Sequence, residues 1–172
     1  AYVGRAKEIQ KAQKAIQNGE CAAEAVPELK PIMDVVKKQF PNVCKDNIGI
    51  GSTIFAVKPG DGSAREQAAS CQKVLGGWAN IANEYATKRY RSNLINWGML
   101  PFLIREGELP FKNDDYLFFP EVRKAVAEKA DSITGYVVKP EGLEEFQVAL
   151  GELTDDEREI ILKGCLINYN RK

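Results

Sequence analysis

The chain has 172 residues, enough for one domain with a core of its own, and its 24 basic and 24 acidic side chains balance. That balance leaves no broad electrostatic field to invite nucleic acid or an acidic membrane surface. Histidine is absent, which removes the commonest general base and metal ligand at neutral pH, so any proton transfer must use another group.

Residues 5–17 are strong helix formers, with Ala6, Ile9, Ala12 or Gln13, and Ile16 at three- and four-residue spacing, and Asn18-Gly19 stops them. Residues 22–30 are alanine-rich and acidic. These two stretches read as a surface helix pair that carries no chemistry. Pro31 starts another helix that runs to Phe40 and ends before Pro41. Residues 52–57, Ser-Thr-Ile-Phe-Ala-Val, read as a buried strand. The turn Pro59-Gly60-Asp61-Gly62-Ser63-Ala64-Arg65-Glu66 follows, then a helix over 63–75 that ends at Gly76-Gly77. Residues 78–83 make a second strand, 87–96 a polar, basic helix closed before Gly98, and 99–104 a third strand. Strand, helix, strand, helix, strand is the pattern of a parallel sheet with right-handed crossovers.

Beyond Arg105 the order changes. An acidic, aromatic loop spans 111–119 and a helix spans 120–130. Strands over 134–138 and 145–150 are joined across Lys139-Pro140-Glu141-Gly142. The last helix has Thr154 as N-cap and Glu157 closing a capping box, and runs to about Cys165 or Asn168. There is no internal repeat or linker, so the chain reads as one compact α/β domain over 1–172: a helical extension over 1–50 and a core over 51–172.

The cysteines, Cys21, Cys44, Cys71 and Cys165, form no Cys-x-x-Cys pair, which argues against a metal site within the chain. With no signal peptide and no long apolar run, reduced thiols in a cytoplasmic protein are the simplest reading, Cys71 and Cys165 being core residues. The chain opens at Ala1-Tyr2-Val3 without a methionine, as a fragment would, or a chain that has lost its initiator.

The turn at 59–66 is where chemistry is expected. Its glycines allow a sharp bend and close approach to a ligand, and the free N–H groups and positive dipole end of the following helix suit a carboxylate or phosphate. Open α/β sheets place ligands at such strand ends. The bland reading is an ordinary junction with Ser63 as N-cap and Glu66 completing a capping box, and spacing alone favours it. A second cationic group, Lys88, Arg89 and Arg91, follows the next strand. If the two strands are neighbours, both groups face one edge and suit a substrate with more than one carboxylate, which Arg grips by its fork. A solvated helix face accounts for Lys88 and Arg89 better than for Arg91, and Asn93 reads as a structural hydrogen bonder.

Two runs, Gly60-Asp61-Gly62-Ser63-Ala64-Arg65-Glu66-Gln67-Ala68-Ala69 and Arg91-Ser92-Asn93-Leu94-Ile95-Asn96-Trp97-Gly98-Met99-Leu100-Pro101, resemble the C-terminal swivel domain of the aconitase family. That family writes them as Gly-x-Gly-Ser-Ser-Arg-Glu-His-Ala and roughly Arg-Ser-Asn-Leu-x-x-x-Gly-x-Leu-Pro. The closing Gly164-Cys165-Leu166-Ile167-Asn168-Tyr169 is similar to the family's end, so the resemblance covers residue 52 to the C-terminus and leaves 1–50 unplaced.

The resemblance implies a swivelling β/β/α domain, with a mixed, partly parallel sheet flanked by helices. It implies part of an aconitate hydratase-like hydro-lyase acting on a small hydroxy polycarboxylic acid. In the family a [4Fe-4S] cluster on the other, catalytic domains binds the substrate hydroxyl, and a serine alkoxide removes the proton beside a carboxylate. Ser63 matches that serine and Arg65 the arginine that holds a carboxylate and helps the serine ionise. Gly62, Ala64 and Arg91 are expected to bind substrate beside Arg65. The chain would be the lid half of a site, inactive alone, whose partner is the catalytic domains of the same polypeptide or a large subunit. No Thr-Asp strand of the isopropylmalate isomerase small-subunit type opens it, so a fragment beginning partway through the swivel domain is expected, with that small subunit as the alternative. Ala64 for the family's second serine and Gln67 for its histidine leave the base and the arginine but put the substrate in doubt. They also motivate a competing reading, a non-catalytic anion-binding or regulatory module.

Overall fold

The computed structural model describes residues 2–43 and 46–171; Cys44 lies outside them. In chain order its elements are α1 (Tyr2–Gln17), α2 (Ala22–Ala25), α3 (Leu29–Gln39), β1 (Ser52–Ala56), α4 (Arg65–Val74), β2 (Gly77–Ala82) and α5 (Lys88–Asn96). Then come β3 (Leu100–Leu103), β4 (Tyr116–Phe118), α6 (Val122–Ala127), β5 (Ile133–Lys139), β6 (Gly142–Val148), α7 (Asp155–Lys163) and α8 (Leu166–Asn170). The class is mixed α/β. No described helix is long and apolar enough to cross a membrane.

The residues form two compact units. One holds Ala1–Gly51, Glu108–Pro120 and Thr134–Phe146, and so α1 to α3 with β4 and most of β5 and β6, which make a sheet of order β4-β5-β6. Here β4 and β5 run antiparallel, Tyr116 opposite Val138 and Phe118 opposite Tyr136. The alanines of α1 give that helix a small face that others approach closely, and Ala12 is fully buried against Val26 and Leu29, with Ile50 and Tyr116 packed alongside. Phe40 packs in T-shaped fashion with Phe118 and Tyr136, centroids 5.2 and 5.4 Å apart.

The other unit holds Ser52–Gly107, Glu121–Ile133 and Gln147–Lys172. Its sheet has the order β1-β2-β3, all parallel, with Phe55 opposite Ile81 and Ile81 opposite Phe102. Helices α4 and α5 make the two crossovers. Ile81, Leu94, Ile95, Met99 and Phe102 are wholly buried, each such side chain contributing about 1.5–3 kcal/mol relative to exposure. Gly98 lets the end of α5 meet the end of α7, since a β-carbon there would lie 1.7 Å from the Gly164 carbonyl oxygen. The Thr154 capping box on α7 is present in full.

Several expectations are corrected. The strand at 52–57 is not buried: β1 is an edge strand whose Ile54 is 42 % exposed, and the apolar run that marked it as core belongs to a strand with a neighbour on one side alone. Cys71 is exposed and Cys165 half-buried, so neither is core. The helix pair read as surface buries Ala12 and Ala15. Part of the loop at 111–119 is β4. The last helix does not run on, because Gly164 at φ +90° stops α7 and α8 starts anew.

Candidate functional site

The loop after β1 leads into α4 with Ala64, not Ser63, as N-cap, and no side chain caps the helix. The Ser63/Glu66 capping box is therefore corrected: the helix begins one residue later than Ser63 needs to reach its amides as a cap. The first intrahelical bond at this end runs from Ala68 N to Ala64 O, 3.0 Å. The preceding helix amides point their hydrogens and the dipole's positive end toward the turn, the arrangement that suits an anion.

Ser63 and Arg65 both line an open depression of about 460 Å³, with Pro59, Gly60, Asp61, Gly62, Ala64, Ala68 and Tyr90. Ser63 is exposed and Arg65 half-buried. The Arg65 Nε donates to the Gly60 carbonyl, 3.0 Å. That bond holds the guanidinium by its inner nitrogen, and neither terminal nitrogen has a hydrogen bond or ion pair among the described residues, so the fork that recognises carboxylates is available.

The second junction braces the first. Because β1 and β2 are adjacent and parallel, the loops that follow them meet at one sheet edge, as the two motifs required. Val57 O accepts from Glu84 N at 3.1 Å, Pro59 O from Ala86 N at 2.9 Å, and Gly60 O from the Thr87 hydroxyl at 3.1 Å. Thr87 also caps α5, accepting from Tyr90 N at 3.2 Å. Tyr90 is 3 % exposed, and its hydroxyl accepts from Gln72 Nε2 and from Asn80 Nδ2, each 2.9 Å away. Sequence reading did not single out Thr87 or Tyr90. A threonine three residues before a tyrosine at a helix start was visible, but which carbonyl its hydroxyl reaches is a tertiary fact.

The second cationic group divides. Lys88 and Arg89 are exposed on the first turn of α5, where cations oppose the dipole. The Arg91 Nη2 donates to Leu150 O at 2.8 Å and Glu152 O at 2.7 Å, which ties α5 to the segment before α7. Arg91 is not among the residues lining the depression, whereas Gly62 and Ala64 are. Among the described residues no group of three or more His, Cys, Asp or Glu side chains converges as metal ligands would. These residues therefore do not fit an iron–sulfur cluster.

A side-chain-uncapped helix N-terminus, a serine and an arginine thus share one depression, donors of the kind that suit a carboxylate. The sequence pattern of the aconitase C-terminal domain matches residues 2–107. The match takes in the N-terminal helices that the two motifs left unplaced. The chain is 30% identical over 138 residues to the methanogen homoaconitase small subunit of Methanocaldococcus jannaschii, covering 80% of this chain and 69% of that one. It is also similar to the crystal structure of a 3-isopropylmalate dehydratase from the same organism, with a TM-score of 0.47 and 22% identity over 84% of this chain and 81% of the other. With its two motifs at neighbouring strand-to-helix junctions, the chain belongs to the aconitase C-terminal domain family.

Proposed function

We propose that this chain is the swivel, or lid, part of an aconitase-like hydro-lyase that dehydrates or hydrates a small hydroxy polycarboxylic acid. The observation that carries the reading is that Ser63 and Arg65 line one depression at the side-chain-uncapped start of α4. In this reading the Arg65 fork holds a substrate carboxylate. The Ser63 oxygen, as alkoxide, takes the proton from the carbon beside that carboxylate: the C–H bond breaks, its electron pair stays on carbon, and the proton ends on Oγ. A serine hydroxyl is too weak an acid to ionise unaided. The guanidinium and the α4 amides supply preorganised positive charge, and donors of this kind are typically worth about 3 kcal/mol each. Ser63 is exposed in the open depression, so water is excluded when a partner closes over it. Gly62 lets the chain approach the substrate, Ala64 lines the same wall, and Arg91, expected from the sequence to meet substrate, ties the second motif to the segment before α7.

The described residues bring together no ligand set for the family's [4Fe-4S] cluster, so the reading assigns it, and departure of the substrate hydroxyl, to catalytic domains elsewhere. A separate large subunit is favoured by the homoaconitase small subunit as a relative over 80% of this chain; catalytic domains on the same polypeptide are the other arrangement.

The test is to combine the chain with its cysteine-bearing catalytic partner and assay citrate, isocitrate and related hydroxy acids for dehydration. The expected result is turnover that needs both components and falls at least about a hundredfold in Arg65→Gln. No dehydration of any such acid would favour the non-catalytic anion-binding module, to which Ala64 and Gln67 point.

A further inference from the structure

We propose that Thr87 is a positioning residue for Arg65, acting through the Gly60 carbonyl. The inference rests on Arg65 being the carboxylate clamp. A guanidinium is planar and rigid, so a single bond from Nε fixes where the two terminal nitrogens point. In this chain that bond goes to Gly60 O. The aim of the clamp therefore depends on the aim of one backbone carbonyl, that of a glycine at φ +97°, a residue type with few backbone restraints of its own.

Thr87 adds a restraint. Two backbone rungs, Glu84 N to Val57 O and Ala86 N to Pro59 O, lace the turn to the segment before α5. The Thr87 hydroxyl makes the next rung, and it reaches the same carbonyl that holds Arg65. The bond is separable from helix capping. As cap, Thr87 uses an oxygen lone pair to accept from Tyr90 N, which leaves its one hydrogen for Gly60 O. Thr154 provides an internal comparison, because it caps α7 with the same 3.2 Å bond, from Glu157 N, and belongs to a different junction.

The test uses the chain paired with its catalytic partner and four variants. Thr87→Val is expected to raise KM for the hydroxy acid about tenfold, with a smaller fall in kcat, as a misaimed carboxylate clamp would. Thr87→Ser, which keeps the hydroxyl, is expected to stay near wild type. Thr154→Val is expected to lower thermal stability as an N-cap loss does and leave KM unchanged. In the isotope-labelled full chain, exchange of the Arg65 Nε–H with solvent is expected to quicken in Thr87→Val and not in Thr154→Val. The proposal is overturned if Thr87→Val leaves KM and Nε–H exchange unchanged while Arg65→Gln raises KM. It is equally overturned if Thr154→Val raises KM as much as Thr87→Val. If Arg65→Gln itself changes neither KM nor kcat, the clamp reading fails first and takes this proposal with it.

Discussion

A β-carbon on Gly60 would stand 2.5 Å from both Cβ and Cγ of Tyr90, so the turn that carries Arg65 lies against the tyrosine ring as only a glycine allows. The first motif thus shares a van der Waals surface with the residue that immediately precedes the second.

Gly60→Ala combines that overlap with a backbone at φ +97°, which disfavours any side chain. The expected loss is about 2–4 kcal/mol of unfolding free energy, read from denaturant titration. A loss below about 0.5 kcal/mol would mean that the turn does not rest on Tyr90.

Tyr90→Phe keeps the ring and removes the hydroxyl oxygen that accepts from Asn80 and Gln72. Asn80 is 2 % exposed, so its amide would be left buried without an acceptor. The expected cost is about 1–3 kcal/mol. An unchanged melting temperature would contradict the network.

Arg91→Ala strips the carbonyls of Leu150 and Glu152 of a charged donor. Stability is expected to fall by about 1.5–3 kcal/mol. If stability holds and substrate affinity alone falls, the side chain serves the substrate and not the fold.

Ala64→Ser restores a capping hydroxyl where α4 has none. A gain of about 0.5–1 kcal/mol is expected, together with tighter binding of acids that carry an additional carboxylate. A loss of stability would show that the α4 start cannot accept a cap.

The parallel order of β1, β2 and β3 was legible because each strand is followed by a periodic helix with a clear stop, at Gly76 after α4 and Gly98 after α5. The Thr154 capping box was legible because all of its partners lie within four residues. What failed depended on distant neighbours. Ile54 and Phe55 are apolar in either an edge or a central strand, and only the sheet order tells which. Ser63 looks like a cap until the helix is seen to begin at Arg65. Cys71 sits between small and polar residues whose outward face no local pattern marks. At the site, Ser63 and Arg65 were read from their turn, but the hydroxyl of Thr87 and the ring of Tyr90 enter through contacts 27 and 30 positions from Gly60.

The most direct measurement is turnover of the hydroxy acid by the Ser63→Ala variant, assembled with its catalytic partner. The account predicts that turnover is abolished while folding and substrate binding are kept, because the Ser63 side chain is exposed and its oxygen serves proton removal. Near-normal turnover by that variant would contradict it.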